Sequence, residues 1–167
     1  MTEKWNFLTD SYWYVPHKCL PALQMSAEAE EPTLMIDQTV WQITDYRYGY
    51  FWGNCVALIF ADGTSPEDAP TNSRFVGTIT PEGTVHLTFM PINALGAAIS
   101  TVGLGKMKLD NEEWVFEMQM STGITELTAH WSYMFQTEEG DASWDKLPGV
   151  DYSVPAFMEA AGVLVAQ

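Results

Sequence analysis

From about residue 34, apolar and polar side chains alternate with period two for some hundred residues. In "EWVFEMQM", Trp114, Phe116, Met118 and Met120 share one face, with Glu113, Glu117 and Gln119 on the other. "TVHLTFM" sets Val85, Leu87 and Phe89 against Thr84, His86 and Thr88. In "FVGTI", Phe75, Gly77 and Ile79 alternate with Val76 and Thr78. "ITELTAHWSYMFQ" places Leu127, Ala129, Trp131, Tyr133 and Phe135 on an inward face, against Thr128, His130 and Ser132. Such alternation marks half-buried antiparallel strands. About eight are expected, near residues 33–37, 39–47, 50–60, 73–80, 84–90, 98–109, 113–121 and 124–136.

Hairpin turns test this reading, because the register must bring like faces together. "TPEGT" suits a three-residue turn with Gly83 left-handed, pairing Ile79 with Val85, Gly77 with Leu87 and Phe75 with Phe89. An Asp110-Asn111 turn pairs Met107 with Trp114, Gly105 with Phe116 and Gly103 with Met118. A turn at "STGI" pairs Met120 with Thr125 and Met118 with Leu127, which sets Trp131 across from Trp114. A Tyr48-Gly49 turn sets Asp45 opposite Trp52 and Ile43 opposite Asn54. All but the last keep one face apolar.

A sequential meander of about eight strands closes into an up-and-down barrel and so removes its exposed edges. Gly53, Gly77, Gly103 and Gly105 fall at strand interiors, where glycine marks bends and close approaches. The fold class expected is therefore all-β, an antiparallel meander closing into a barrel. A single domain over 1–167 is expected, with an irregular segment at 1–32, the barrel at 33–136, and a loop and terminal helix at 137–167. In the first segment Pro16 and Pro21 discourage helix, although a short helical turn fits residues 18–25. At the other end "SVPAFMEAAGVLVAQ" offers Ser153 as an N-cap and Pro155 in the first turn of a helix.

The meander over 34–136 resembles the calycin barrels, the group that includes lipocalins, fatty-acid-binding proteins and avidin-like proteins. "GYFWG", Gly49 to Gly53, is similar to a glycine–aromatic–glycine strand of the avidin-like members. Lipocalins carry a Gly-x-Trp near the first strand, whereas Trp41 here follows "QTV". What the resemblance implies is a cavity for a small molecule.

The charge balance excludes other classes. Twenty-two acids against seven bases give a net charge of −15, so no basic surface can be assembled for nucleic acid. An anionic membrane would repel the chain for the same reason, and no apolar run approaches the roughly 18 residues of a membrane span. The start "MTEKWNFLTD" lacks the pattern of a signal peptide, so a cytoplasmic protein is expected. Cys19 and Cys55 have neither metal nor disulfide spacing. His17, His86 and His130 form no site by spacing, and His86 and His130 are placed on outward faces. No metal and no cofactor are expected.

The expected ligand site is the barrel interior, with Trp41, Trp52, Asn54, Phe116, Met118, Trp131 and Tyr133 as its wall. A small, apolar or aromatic molecule is the partner such a wall fits. An enzyme of lyase or isomerase type, with Asp45, Arg47, Tyr50 and Tyr133 as acid/base candidates at the barrel mouth, is the alternative. For Asp45 and Arg47 the competing reading is a surface ion pair at a strand end. A third class is an assembly protein, including a homo-oligomer, built through exposed strand faces. Strand 50–60 is apolar on both faces, so the N-terminal segment, the C-terminal helix or a second subunit must cover it.

Overall fold

A computed structural model describes residues 3–17, 20–66, 69–92, 100–123 and 126–165. Nine strands form one closed antiparallel sheet: β1 (Ser11–Tyr14), β2 (Leu20–Ser26), β3 (Thr33–Arg47), β4 (Tyr50–Ala61), β5 (Thr71–Ile79), β6 (Thr84–Pro91), β7 (Thr101–Asp110), β8 (Glu113–Gly123) and β9 (Glu126–Thr137). From β3 onward each strand pairs with the next, in up-and-down order. β1 and β2 both lie between β3 and β9, β1 against Val40–Ile43 and β2 against Thr33–Asp37. They therefore fill one position end to end, and the barrel has eight positions.

The eight positions are reached by a different division from the one expected. Residues 33–47 are one continuous strand instead of two, and the N-terminal segment supplies the missing position. The helical turn expected at 18–25 is corrected: residues 20–26 form a strand, held by pairing on both sides, while 18 and 19 lie outside the described residues. Pro21 is tolerated there, and strand pairing outweighs the local ambiguity.

Register decides which side chains enter the barrel. The β5–β6 hairpin follows the expected pairing, with Gly83 at φ +96. In the β7–β8 hairpin the turn is Asn111-Glu112, both with positive φ, and Met107 faces Phe116, two residues beyond Trp114. An even shift preserves the faces, so Phe116, Met118 and Met120 point inward as expected. In the β8–β9 hairpin Met118 faces Ser132, five residues beyond Leu127. An odd shift inverts the strand. His130, Ser132 and Met134 point inward, while Trp131 is 51% exposed on the outside. Residues 124 and 125 of this turn lie outside the described residues.

A bulge at Thr44 makes the second inversion. Beyond the Tyr48-Gly49 turn Asp45 faces Trp52 as expected, but past the bulge Ile43 faces Gly53 instead of Asn54. Trp41 and Ile43 consequently point inward, and Asp45, Arg47 and Trp52 outward. Gly53 is required here, since a Cβ would lie 1.8 Å from the Gln42 carbonyl oxygen.

The interior is packed with rings over the half nearer the 48–49 turn. Trp13, Trp41, Phe51, Phe75, Phe89 and Phe116 contact one another at centroid distances between 4.6 and 6.1 Å. The 3-10 helix Glu3–Leu8 closes this end, with Trp5 and Leu8 fully buried. The Trp5 indole donates to the Thr80 carbonyl at 3.0 Å, and its ring meets Trp114 edge-on at 5.0 Å.

Outside the barrel, α1 (Ala142–Asp145) and α2 (Val154–Ala160) form a second apolar cluster. Leu147, Val154, Phe157 and Met158 lie with Val40, Val56 and Leu58 in this cluster, so the C-terminal segment covers the outer face of strand 50–61. Ser153 caps α2 through its hydroxyl, which accepts from the Ala156 amide at 3.2 Å. No helix among the described residues is long and apolar enough to cross a membrane.

Phe116→Ala should cost about 3–5 kcal/mol, because it leaves a cavity among the fully buried rings. Trp131→Ala should cost about 1 kcal/mol or less, as substitutions outside the core do. Chemical denaturation of the two variants checks both. Equal losses would contradict the inverted β9.

Candidate functional site

At the barrel end opposite the 3-10 helix the inward residues become small and polar. β3 contributes Asp37 and Thr39, β4 Ala57 and Ile59, β5 Thr71 and Ser73, β8 Thr122, and β9 Thr128, His130 and Ser132. They line a cavity of about 170 Å³ that opens to solvent at this barrel end, with Trp41, Cys55, Phe89 and Met120 also on its wall. Trp41 belongs to the packed rings as well, so it separates the solid half of the barrel from the hollow half.

Two ionisable groups meet there. His130 Nδ1 lies 3.2 Å from Asp37 Oδ2, with the Asp37 side chain fully buried and that of His130 12% exposed. β2 runs between their strands, pairing Leu20 with Asp37 and Ala22 with His130. Ala22 places only a methyl group beside the imidazole, which leaves it room to reach across. Thr39 donates its hydroxyl hydrogen to Asp37 Oδ1 at 2.7 Å. Neither Asp37 Oδ2 nor His130 Nδ1 makes an aligned hydrogen bond, although both are buried.

Burial alone would lower the His130 pKa, yet contact with the Asp37 carboxylate outweighs it and holds the pKa above 6.5. Burial pushes the Cys55 thiol far up, the Asp37 charge adds to this, and a hydrogen bond from the Trp41 side chain works the other way. Cys55 is therefore a thiol at neutral pH, which makes it a poor nucleophile. Cys19 lies outside the described residues.

The other sequence candidates are spread around the fold. Trp41, Phe116 and Met118 face the interior, but Phe116 and Met118 belong to its packed half. Trp52, Trp131 and Tyr133 lie on the outer face, for the register reasons given above, and so do not line the interior. Asn54 is also outside, donating to Gln42 Oε1 at 2.8 Å, and Gln42 in turn donates to the Leu164 carbonyl of the C-terminal segment. Asp45 and Arg47 form an ion pair at the hairpin tip, with Nη2 2.6 Å from Oδ2 and the Arg47 side chain 68% exposed. That is a surface pair at a strand end, and Tyr50 beside it is exposed. Tyr133 donates its phenol hydrogen to Asp110, which pushes its pKa up to about 12. The phenol therefore stays protonated at neutral pH.

Asp37 and His130 are the residues that sequence reasoning missed. His130 was placed outward by the slipped register, and Asp37 sits in a stretch, Ile36–Ile43, buried on both faces and so without alternation. The one charged residue within "LMIDQTVWQI" is the available signal, since a buried carboxylate needs a partner. Among the described residues no three His, Cys, Asp or Glu side chains are grouped to hold a metal ion.

The raised His130 pKa makes the pair a pH-dependent stabilising contact. The pair contributes fully below the unfolded value of about 6.5, and its contribution is lost as pH rises through the higher folded value. The melting temperature of wild type should therefore fall, relative to His130→Gln, as pH rises from 6.5 through that folded value. Parallel melting curves across neutral pH would show that Asp37 and His130 do not interact in solution.

Comparison of the chain with protein-family models, curated proteins and solved structures finds no match in any of the three.

Proposed function

We propose that the barrel binds a small molecule in the cavity between Trp41 and the Asp37–His130 pair. The observation that carries this reading is the change within one barrel from tightly packed rings to a hollow lined by hydroxyls and one buried ion pair. Burying an Asp and a His costs stability relative to apolar side chains of similar size, even when they pair at 3.2 Å and Thr39 donates to Asp37. The apolar wall of Trp41, Phe89 and Met120 suits the aromatic or apolar body of a ligand, and the serine and threonine hydroxyls suit its polar group.

The resemblance of the barrel to the calycin group supports the same reading. The closed antiparallel barrel with up-and-down order fits that group.

The pair also supports an enzyme as the second reading. An imidazole held through Nδ1 by a buried carboxylate is oriented to exchange protons through its other nitrogen. A lyase or isomerase acting on the bound molecule would then use His130 as acid/base and Asp37 to orient it, in place of Asp45, Arg47, Tyr50 or Tyr133. The outer strip of Leu23, Leu34, Leu104 and Trp131 is exposed, which is compatible with assembly but names no partner.

Native mass spectrometry of freshly purified protein should detect a bound small molecule. Ala57→Leu, which puts extra bulk into the cavity, should lose that molecule while its far-ultraviolet circular dichroism stays unchanged. An empty wild-type barrel, with tryptophan emission unmoved by single-ring compounds, would count against binding. Conversion of the bound compound by wild type but not by His130→Gln would favour the enzyme.

A further inference from the structure

We propose that the outer face of β9 and its neighbours is a homodimer interface, in which a two-fold axis seats Trp131 of each copy over Ala129 of the other. Exposure of this face alone names no partner. Its relief and its charges point to a second copy of the chain.

Relief comes first. Five strands, from β3 through β2, β9 and β8 to β7, line one shallow groove of about 700 Å³ on the outside of the barrel. Pairing sets Leu34, Leu23, Ala129, Ser121 and Val102 in one row across it, and Trp131, Gln119 and Leu104 in the next. Ala129 and Ser121 are thus a low spot between large side chains, with Trp131 two residues along the same strand. Two such residues stand about 7 Å apart on one face of a strand. A two-fold axis between them, perpendicular to the sheet, exchanges their places. A bulky residue beside a small one therefore makes this face complementary to its own copy. The same rotation brings Leu104 against the partner's Leu34.

Charge comes second. The chain carries 22 acids against 7 bases, so two copies repel over most of their surface. Among the described residues no Asp, Glu, Lys or Arg lines the groove. A cationic partner finds no carboxylate there, and an acidic one meets the net charge of −15. Beyond the two ends of the groove the signs are opposite. Lys106 is exposed two residues beyond Leu104, while Glu30 and Glu31 are exposed just before β3 at the other end. None of the three forms an ion pair among the described residues. The axis that seats Trp131 on Ala129 also carries Lys106 to the partner's Glu30 and Glu31.

Area comes third. With Leu127 and Met25, seven large apolar side chains of this face are between 37 and 62% exposed. They form a patch on the order of several hundred Å², at the upper end for a monomer and the lower end for a specific interface. The dimer is therefore a reversible one, and denaturation in dilute solution reads the separate chains.

Sedimentation equilibrium of the full chain tests this at physiological ionic strength, where screening limits repulsion to about 8 Å. Concentrated wild type should show twice the 18.7 kDa of one chain, and dilution should return the single chain. Trp131→Glu should raise the dimer Kd at least about hundred-fold, because it puts two carboxylates into the contact. Lys106→Glu should raise it about ten-fold, and adding Glu30→Lys and Glu31→Lys should restore it. The exposed Lys106 keeps the test decisive if the Trp131 variant does not fold, which circular dichroism shows. Wild type that stays monomeric at millimolar concentration overturns the proposal. So does a monomer whose tryptophan emission shifts with a neutral apolar dye in wild type but not in Trp131→Glu, since the groove then belongs to a small ligand. A dimer that survives Trp131→Glu forms through another surface and overturns it as well. Loss of the dimer without rescue by the charge exchange overturns the two-fold arrangement.

Discussion

An eight-position barrel encloses a narrow space, wide enough to be filled by side chains or to hold one small ligand, but not both along its whole length. This chain divides that space. Rings from β1, β3, β4, β5, β6 and β8 fill the half closed by the 3-10 helix, and small residues opposite them make the room. Gly105 shows how tight the fit is, since a Cβ there would meet the Glu117 carbonyl at 2.1 Å. Interiors of this density leave few voids. The hollow at the other end is therefore a property of its own residues, where threonines, serines, Ala57, one Asp and one His take most of the positions that aromatics take in the packed half.

The sequence carried the class of fold because alternation survives many local errors. Eight positions, antiparallel order, the β5–β6 register and the Ser153-capped helix were all legible. So was the need to cover strand 50–60, which the C-terminal segment meets with Leu147, Phe157 and Met158. The errors were of one kind. A shift of two residues at β7–β8 changed neighbours and left faces intact, while a shift of five at β8–β9 turned every side chain of β9 over. The bulge at Thr44 did the same within β3. An alternating pattern with tryptophan on one face and histidine on the other does not say which side is inside. Here the larger residues were assigned inward, and tertiary pairing decided otherwise.

Those two inversions account for most of the misplaced site. Trp52, Trp131 and Tyr133 were expected in the interior and stand outside, while His130 was expected outside and stands within. Asp45 and Arg47 were correctly seen to be adjacent, but their ion pair belongs to the solvent. Asp37 meets His130 across β2, the strand that Pro21 helped to hide. Local sequence offered no alternation to mark a strand at 20–26 and fitted a short helical turn, whereas the slot between β3 and β9 requires a strand.

The two-part first position has a consequence for how the protein is made. β1 and β2 are made before both of their neighbours, and one of these, β9, follows β2 by about a hundred residues. At a synthesis rate of about 5–20 residues per second, the wait for that partner is on the order of ten seconds. During this interval β1 and β2 can pair with β3 alone, as one edge of an unclosed sheet. Closure must then wait for the last strand, and it joins the two most distant parts of the barrel. Such contacts are the slow ones in folding. Until β9 is made, the sheet stays open and the edge of β1 and β2 that β9 covers is unpaired.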